Sequence, residues 1–288
     1  MLTGVGIWSG ALRFGERGAA IEAAGELESL GYSALWTPGG AGGDIFESCA
    51  ALLRATNSVT IATGIVNVWA HTPQEVAEQH AALTTAHPGR FLLGLGISHG
   101  PLVDAMKLGT YDKPMAVMRA YLDGLDRANP PVPRNEMALA ALGPQMLRLA
   151  RDRTAGAHPY LVTPDHTKLA REVMGAGALL APEACVVLDA GPAKAKELAR
   201  AHLATYLRLP NYVNNLLRTG FTEDDVSGTG SDRLIERLIA SGDEHVIARR
   251  VQEHFDAGAD HVCVQIITAD RKTLPMDKWR ALASAVCS

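Results

Sequence analysis

The side chains in this 288-residue chain that could do chemistry fall where its short apolar runs end. Val5-Gly6-Ile7-Trp8 leads to Ser9, and Ala34-Leu35-Trp36 leads to Thr37 and Pro38. The run from Val59 to Val66 precedes Asn67, Trp69 and His71, and Phe91–Gly96 precedes Ile97, Ser98 and His99. Later runs add His158, Tyr160 and Arg271. This set is aromatic and amide-rich but short of carboxylates, so the paired acids of glycoside hydrolysis are hard to find. No His-x-His pair or clustered Asp/His set offers metal ligands, and no metal is expected. The collection suits a flat, conjugated small molecule held by stacking and hydrogen bonds.

Two segments could hold a phosphate. Gly94-x-Gly96 with Ser98-His99-Gly100 forms a small-residue turn that lets a ligand approach the backbone. Gly143-Pro144-Gln145-Met146 opens a helix whose free N–H groups form an anion site. The first lacks the third glycine of a dinucleotide fingerprint, and Gly94 equally fits a crowded strand interior.

These residues must be positioned by elements that alternate between β-type and helical patterning. Helices are expected from about Glu16 to Leu30, ended by Gly31, and from Asp44 to Ala55. Thr72-Pro73-Gln74-Glu75 carries a capping-box signal, with Val76, His80 and Leu83 on the inner face. A helix begins near Pro114. Strands follow at Met137–Ala141, Ala157–Val162, Cys185–Leu188 and His261–Ile267, each with a helix after it. Eight such units predict a single-domain (β/α)8 TIM barrel spanning residues 1–288, close to the usual ~250 residues. Between Leu209 and Gly242 a helical insertion follows strand seven, with Tyr212–Arg218 and Arg233–Ile239 as its helices. It is either a lid over the active face or plain helical packing.

A net charge of −4 gives no reason to expect a nucleic-acid partner. No run approaches the ~18 apolar residues of a membrane span, and the start shows no signal peptide, so a cytoplasmic protein is expected. The four cysteines form no Cys-x-x-Cys pair, and Cys185 and Cys263 read as small core residues.

The block Ala62-Thr63-Gly64-Ile65-Val66-Asn67-Val68-Trp69, then Thr72-Pro73, then Gly89-Arg90-Phe91-Leu92-Leu93-Gly94-Leu95-Gly96 resembles luciferase-like monooxygenases. Within them the chain is most similar to the coenzyme F420 (deazaflavin)-dependent oxidoreductases common in actinobacteria. The resemblance runs from Val5 to about Pro144, and more loosely to the last strand. It implies a homodimer with a small-molecule substrate, and a cis peptide at Gly64–Ile65 behind the deazaflavin ring. It places Asn67 near the ring and Gly96, Ile97 and Ser98 along the cofactor. Gly143, Pro144, Gln145 and Met146 would cradle the phosphate tail. His99 occupies a position where some relatives carry a catalytic acid. After strand two, many relatives have an acidic residue or histidine where this chain has Thr37-Pro38.

The assignment that follows gives Ile65 the shielding of one ring face. Trp8, Trp36 and Trp69 form an apolar substrate wall, His158 contacts the cofactor, and His99 or His71 transfers a proton near neutral pH. Each has a plainer reading: His99 bonding a loop carbonyl, His71 facing solvent, Trp8 and Trp36 packing the rim. Three functions stay open: an F420-dependent oxidoreductase, an FMN-dependent monooxygenase on the same barrel, and a non-catalytic cofactor-binding protein.

Overall fold

The computed structural model describes residues 2–40 and 43–287. Its first half runs β1 (Gly4–Trp8), α1 (Ala11–Phe14), α2 (Arg17–Ser29), β2 (Ala34–Thr37), α3 (Ile45–Ala55), β3 (Thr60–Thr63), β4 (Val66–Asn67), α4 (Pro73–Ala86) and β5 (Phe91–Gly96). Then come α5 (Gly100–Ala105), α6 (Pro114–Arg127), β6 (Met137–Leu139), α7 (Pro144–Arg153), β7 (Gly156–Ala157), α8 (Pro164–Met174), β8 (Leu179–Leu180) and β9 (Glu183–Leu188). The chain finishes with α9 (Pro192–Tyr206), α10 (Pro210–Arg218), α11 (Glu223–Val226), α12 (Asp232–Leu238), β10 (Ala240–Gly242), α13 (Glu244–Asp256), β11 (His261–Ile266) and α14 (Met276–Val286).

Local chemistry sets the helix starts. The Glu16 carboxylate accepts from the Gly18 and Ala19 amides, Asp44 accepts from Phe46, and Thr72 with Glu75 closes a capping box. Each satisfies amide donors that the first helical turn leaves without partners. Gly31, at φ +92°, ends α2 in a conformation that costs glycine nothing.

The strands pair in parallel in the order β10-β9-β11-β1-β2-β3-β5-β6-β7-β8, with β4 also on β5. Only Ala181 and Pro182 separate β8 from β9. The Ala181 and Glu183 amides bond Ala157 and Pro159, while Asp260 and Cys263 bond back to Leu180 and Pro182. The segment Leu179–Leu188 thus has β7 on one side and β11 on the other, and the sheet returns on itself. β2, β5 and β9 are buried at every residue, as expected for parallel strands covered on both faces.

Two faces make two cores. Leu35 packs outward with Ile7, Leu52, Ile61 and Leu93 against the helices. Trp36 points the other way, into an interior of Ala34, Ala62, Ala138, Ala181 and Cys263. Alternation along β2 demands this, because neighbouring side chains leave opposite faces of a strand. Trp36 is fully buried, which corrects its expected place in a substrate wall.

Two strands also differ from expectation. The run from Val59 to Val66 is broken at Gly64–Ile65, whose peptide bond is cis, so β3 and β4 are separate pieces. The run from Ala157 to Val162 pairs only at Gly156–Ala157: Pro159 has no amide to donate, and Leu161 turns the chain at φ +57°. After β9, helices α9 to α12 gather around a core of their own, including Leu203, Tyr212, Leu216, Leu234 and Leu238. That core is continuous with Cys185 and Val187 of β9, so the helices are packed onto the strand.

Candidate functional site

A cavity of about 520 Å³ opens where the strands end, floored by residues following β3, β5 and β6 and roofed from α10. Gly64, Ile65, Asn67, Gly96, Ile97, Ser98, Gly143, Met146, His158, His99 and Trp8 all line it. Register places the floor: Val66 pairs with Leu95 and Asn67 with Gly96.

The floor depends on missing side chains. A Cβ on Gly96 would lie 2.5 Å from Ile65 Cγ1, and one on Gly39 would lie 2.1 Å from the Ile65 carbonyl oxygen. The two glycines therefore make room for Ile65, which presents its apolar side chain to the cavity. Gly94 serves the strand itself, since a Cβ there would meet the Thr63 carbonyl at 1.8 Å. Thr63 Oγ1 accepts from the Gly94 amide and donates to its carbonyl, both at 2.8 Å. Asn67 Oδ1 accepts from the Trp69 amide, and Trp69 Nε1 donates to the Ile97 carbonyl at 2.9 Å. Trp69 thereby ties the loop after β4 to the loop after β5 and does not face the cavity, a second correction to the expected wall.

The histidines separate into distinct environments. His71 lies outside the cavity, edge-on to Phe46 at 5.9 Å, because the chain turns there toward the Thr72 cap of α4. His99 caps α5 at the cavity edge, 5.4 Å from the Tyr212 ring. Burial lowers its pKa, against a hydrogen bond with Asn211 that raises it. His158 lies at the bottom of the cavity, stacked on Trp36 at 4.2 Å. Its Nδ1 is 2.8 Å from the Ala181 carbonyl oxygen, which fixes the tautomer with the proton on Nδ1. Burial pushes its pKa down to about 4, so the ring is neutral at physiological pH.

At the far end Gly143 caps α7 without any side-chain bond, leaving first-turn amides available. Arg218 of α10 sits over them: a Cβ on Gly143 would be 3.7 Å from its guanidinium. Asn215 Oδ1 accepts from Arg218 at 3.2 Å and steadies it. Gly143 and Met146 border the cavity; Pro144 and Gln145 face away from it. A helix N-terminus opposed by a guanidinium has the chemistry to hold an anion.

The opposite wall is aromatic. Trp8 and Tyr160 lie 5.3 Å apart, Tyr160 and Tyr206 5.5 Å, and Tyr206 and Tyr212 5.0 Å. Tyr206, Tyr212 and Arg218 come from α9 and α10, and sequence reasoning did not select them. Their signal was position alone, inside the helical segment after strand seven. Behind this wall, Glu183 is fully buried, and burial raises its carboxyl pKa to about 7. A lone acid opening the apolar run Ala184–Leu188 was the trace it left in sequence.

The family model described as luciferase-like monooxygenase matches residues 4–261. The chain belongs to that family. It is 27% identical over 190 residues to the 5,10-methylenetetrahydromethanopterin reductase of Methanolobus tindarius, covering 56% of this chain and 58% of that protein. It is 33% identical over 98 residues to a Mycobacterium tuberculosis (strain ATCC 25618 / H37Rv) protein carrying the provisional name coenzyme F420-dependent oxidoreductase, covering 33% of this chain and 28% of that protein. The chain thus matches less than two thirds of the length of either relative. Among solved structures, the coenzyme F420-dependent tetrahydromethanopterin reductase from Methanopyrus kandleri superposes with a TM-score of 0.78 at 17% identity, covering 99% of each chain. The oxygenating constituent of 3,6-diketocamphane monooxygenase of Pseudomonas putida, solved with FMN, gives 0.71 at 15% identity, covering 99% of this chain and 98% of that one. These structural likenesses establish a shared fold.

Proposed function

We propose that the chain is an F420-dependent oxidoreductase built on a (β/α)8 barrel, with α9–α12 as an insertion after its seventh strand that roofs the site. The observation that carries this reading is the floor of the cavity. Gly64–Ile65 and Gly96 lie side by side, with Ile65 filling the space their bare backbone leaves.

The residues present fit a planar redox ring with an anionic tail. Ile65 would cover one ring face, and Gly96, Ile97 and Ser98 would border its edge. Gly143 and Met146 at the start of α7, with Arg218 opposite, would hold the tail's phosphate by charge-assisted hydrogen bonds. When bound, the deazaflavin supplies a hydride equivalent at a ring carbon. Trp8 and the three tyrosines exclude water from the opposite side and orient the substrate there. His99, neutral by burial, acts as a hydrogen-bonding group at the rim, and His71 takes no part.

The test is titration of the purified protein with oxidised F420 and, separately, with FMN, following fluorescence quenching. Saturable F420 binding with no response to FMN is expected. Submicromolar FMN binding with no response to F420 would replace this reading with the FMN-dependent monooxygenase. Tight F420 binding without hydride exchange to any substrate would leave a cofactor-binding protein.

A further inference from the structure

The aromatic wall is backed by a buried network of polar groups. Tyr160 donates its hydroxyl proton to Gln265 Oε1 at 2.7 Å, and the Tyr206 hydroxyl lies 2.8 Å from that of Tyr160. Behind them, the Cys185 thiol donates to Glu183 Oε1 at 2.8 Å and lies 3.4 Å from His202 Nε2. Cys185 also reaches Gln265 Oε1 at 3.8 Å, and the Leu161 amide donates to Glu183 Oε2 at 2.9 Å. Glu183, Cys185 and His202 are 0%, 2% and 3% exposed.

The network determines where protons point. Tyr160 has one hydroxyl proton and it is committed to Gln265. Of that bonded pair, Tyr206 is then the one with a proton to offer, either to the Tyr160 oxygen or to a guest in the cavity. Around it the wall is aromatic and uncharged, and among the described cavity-lining residues Arg218 carries the only fixed charge, beside Gly143 at the other end. No acid or lysine is present there to neutralise a charged substrate group.

We propose that Tyr206, positioned by Tyr160 and Gln265, binds and protonates the oxygen of a neutral, largely apolar carbonyl compound. This deepens the F420 reading and, as a reaction, rests on it. When bound, reduced deazaflavin would supply the hydride equivalent to the carbonyl carbon, a C–H bond forming as the C=O π bond breaks. The oxygen takes the Tyr206 proton, so the carbonyl is reduced to an alcohol and the deazaflavin is oxidised. Tyr160 can swing its hydroxyl from Gln265 to the Tyr206 oxyanion, and water restores the lost proton when the product leaves. Gln265, Cys185 and Glu183 are positioning residues: they set the direction of the Tyr160 hydroxyl.

The probe is acetophenone carrying carbon-13 at the carbonyl, observed by NMR on the full chain with and without F420. A downfield displacement of the bound carbonyl resonance is expected in wild type. In Tyr206→Phe the displacement should vanish and affinity should fall about tenfold, the worth of one hydrogen bond, while F420 quenching is kept. Retained quenching also shows that the variant folds. An equal displacement in wild type and Tyr206→Phe would overturn the proposal, as would a protein that binds F420 but not acetophenone. If F420 does not bind while the displacement depends on Tyr206, the cofactor reading fails and the carbonyl subsite stands.

Discussion

The Ile65 side chain rests on the bare backbone of Gly96, so close that a methyl group at Gly96 would fall 2.5 Å from Ile65 Cγ1. Gly96 ends β5, and Ile65 immediately precedes β4, which pairs with β5 at Asn67 and Gly96. The contact fixes both the height and the apolar character of the cavity floor.

Gly96→Ala should therefore displace Ile65 upward into the space assigned to the ring. Overpacking of this size costs about 1–3 kcal/mol, which the chain should survive. Cofactor affinity should fall far more than stability. Parallel thermal melts and F420 titrations of the variant check this, and unchanged affinity would place the ring elsewhere.

Arg218 stands across from the α7 N-terminus and is held by Asn215. Arg218→Ala should weaken F420 binding about 10- to 100-fold, the range for losing a hydrogen bond to a charged group. It should also flatten the dependence of affinity on salt. Titrations at two ionic strengths give both results, whereas loss through misfolding would also lower the melting temperature.

Glu183 predicts a pH effect on stability. Its carboxyl pKa rises from 4.5 to about 7 through burial, so the folded state holds a proton that the unfolded chain has released between those values. Stability from this group is full below the unfolded pKa and is lost as pH rises to about 7, a loss on the order of 3 kcal/mol. Glu183→Gln, compared with wild type at equal pH, should gain relative stability between pH 5 and pH 8. Denaturant melts measure the difference, and one that does not change with pH would show that Glu183 titrates normally.

Four buried histidines without a carboxylate partner act in the opposite direction. Burial lowers His158 and His202 to about 4 and His254 and His261 to about 3. Each is neutral in the fold and takes up a proton on unfolding below about pH 6.5. Stability should fall steeply from there toward pH 4, outweighing the contribution of Glu183. Urea midpoints across that range test it, and a flat profile would contradict the assigned burial.

The strand and helix rhythm was legible because parallel strands covered on both faces read as apolar runs, and because capping residues such as Asp44 and Thr72 announce helix starts. The floor was legible through Gly64, Ile65 and Asn67 at the end of one apolar run and Gly96 at the end of the next. Trp36 was misplaced because a strand end alone does not say which face a side chain takes, and alternation from Ala34 sends it inside. Trp69 and His71 were misplaced for a related reason: the turn before Thr72 carries both away from the mouth. Tyr206, Tyr212 and Arg218 reach the cavity only through the packing of α9 and α10 onto β9. No periodicity within those helices reveals that docking.

The most direct measurement is a crystal structure of the protein soaked with F420. The account predicts density for the ring against Ile65 and beside Gly96, with the phosphate between the Gly143 end of α7 and Arg218. Density on the opposite end of the sheet, or a ring lying away from Gly64 and Gly96, would contradict it.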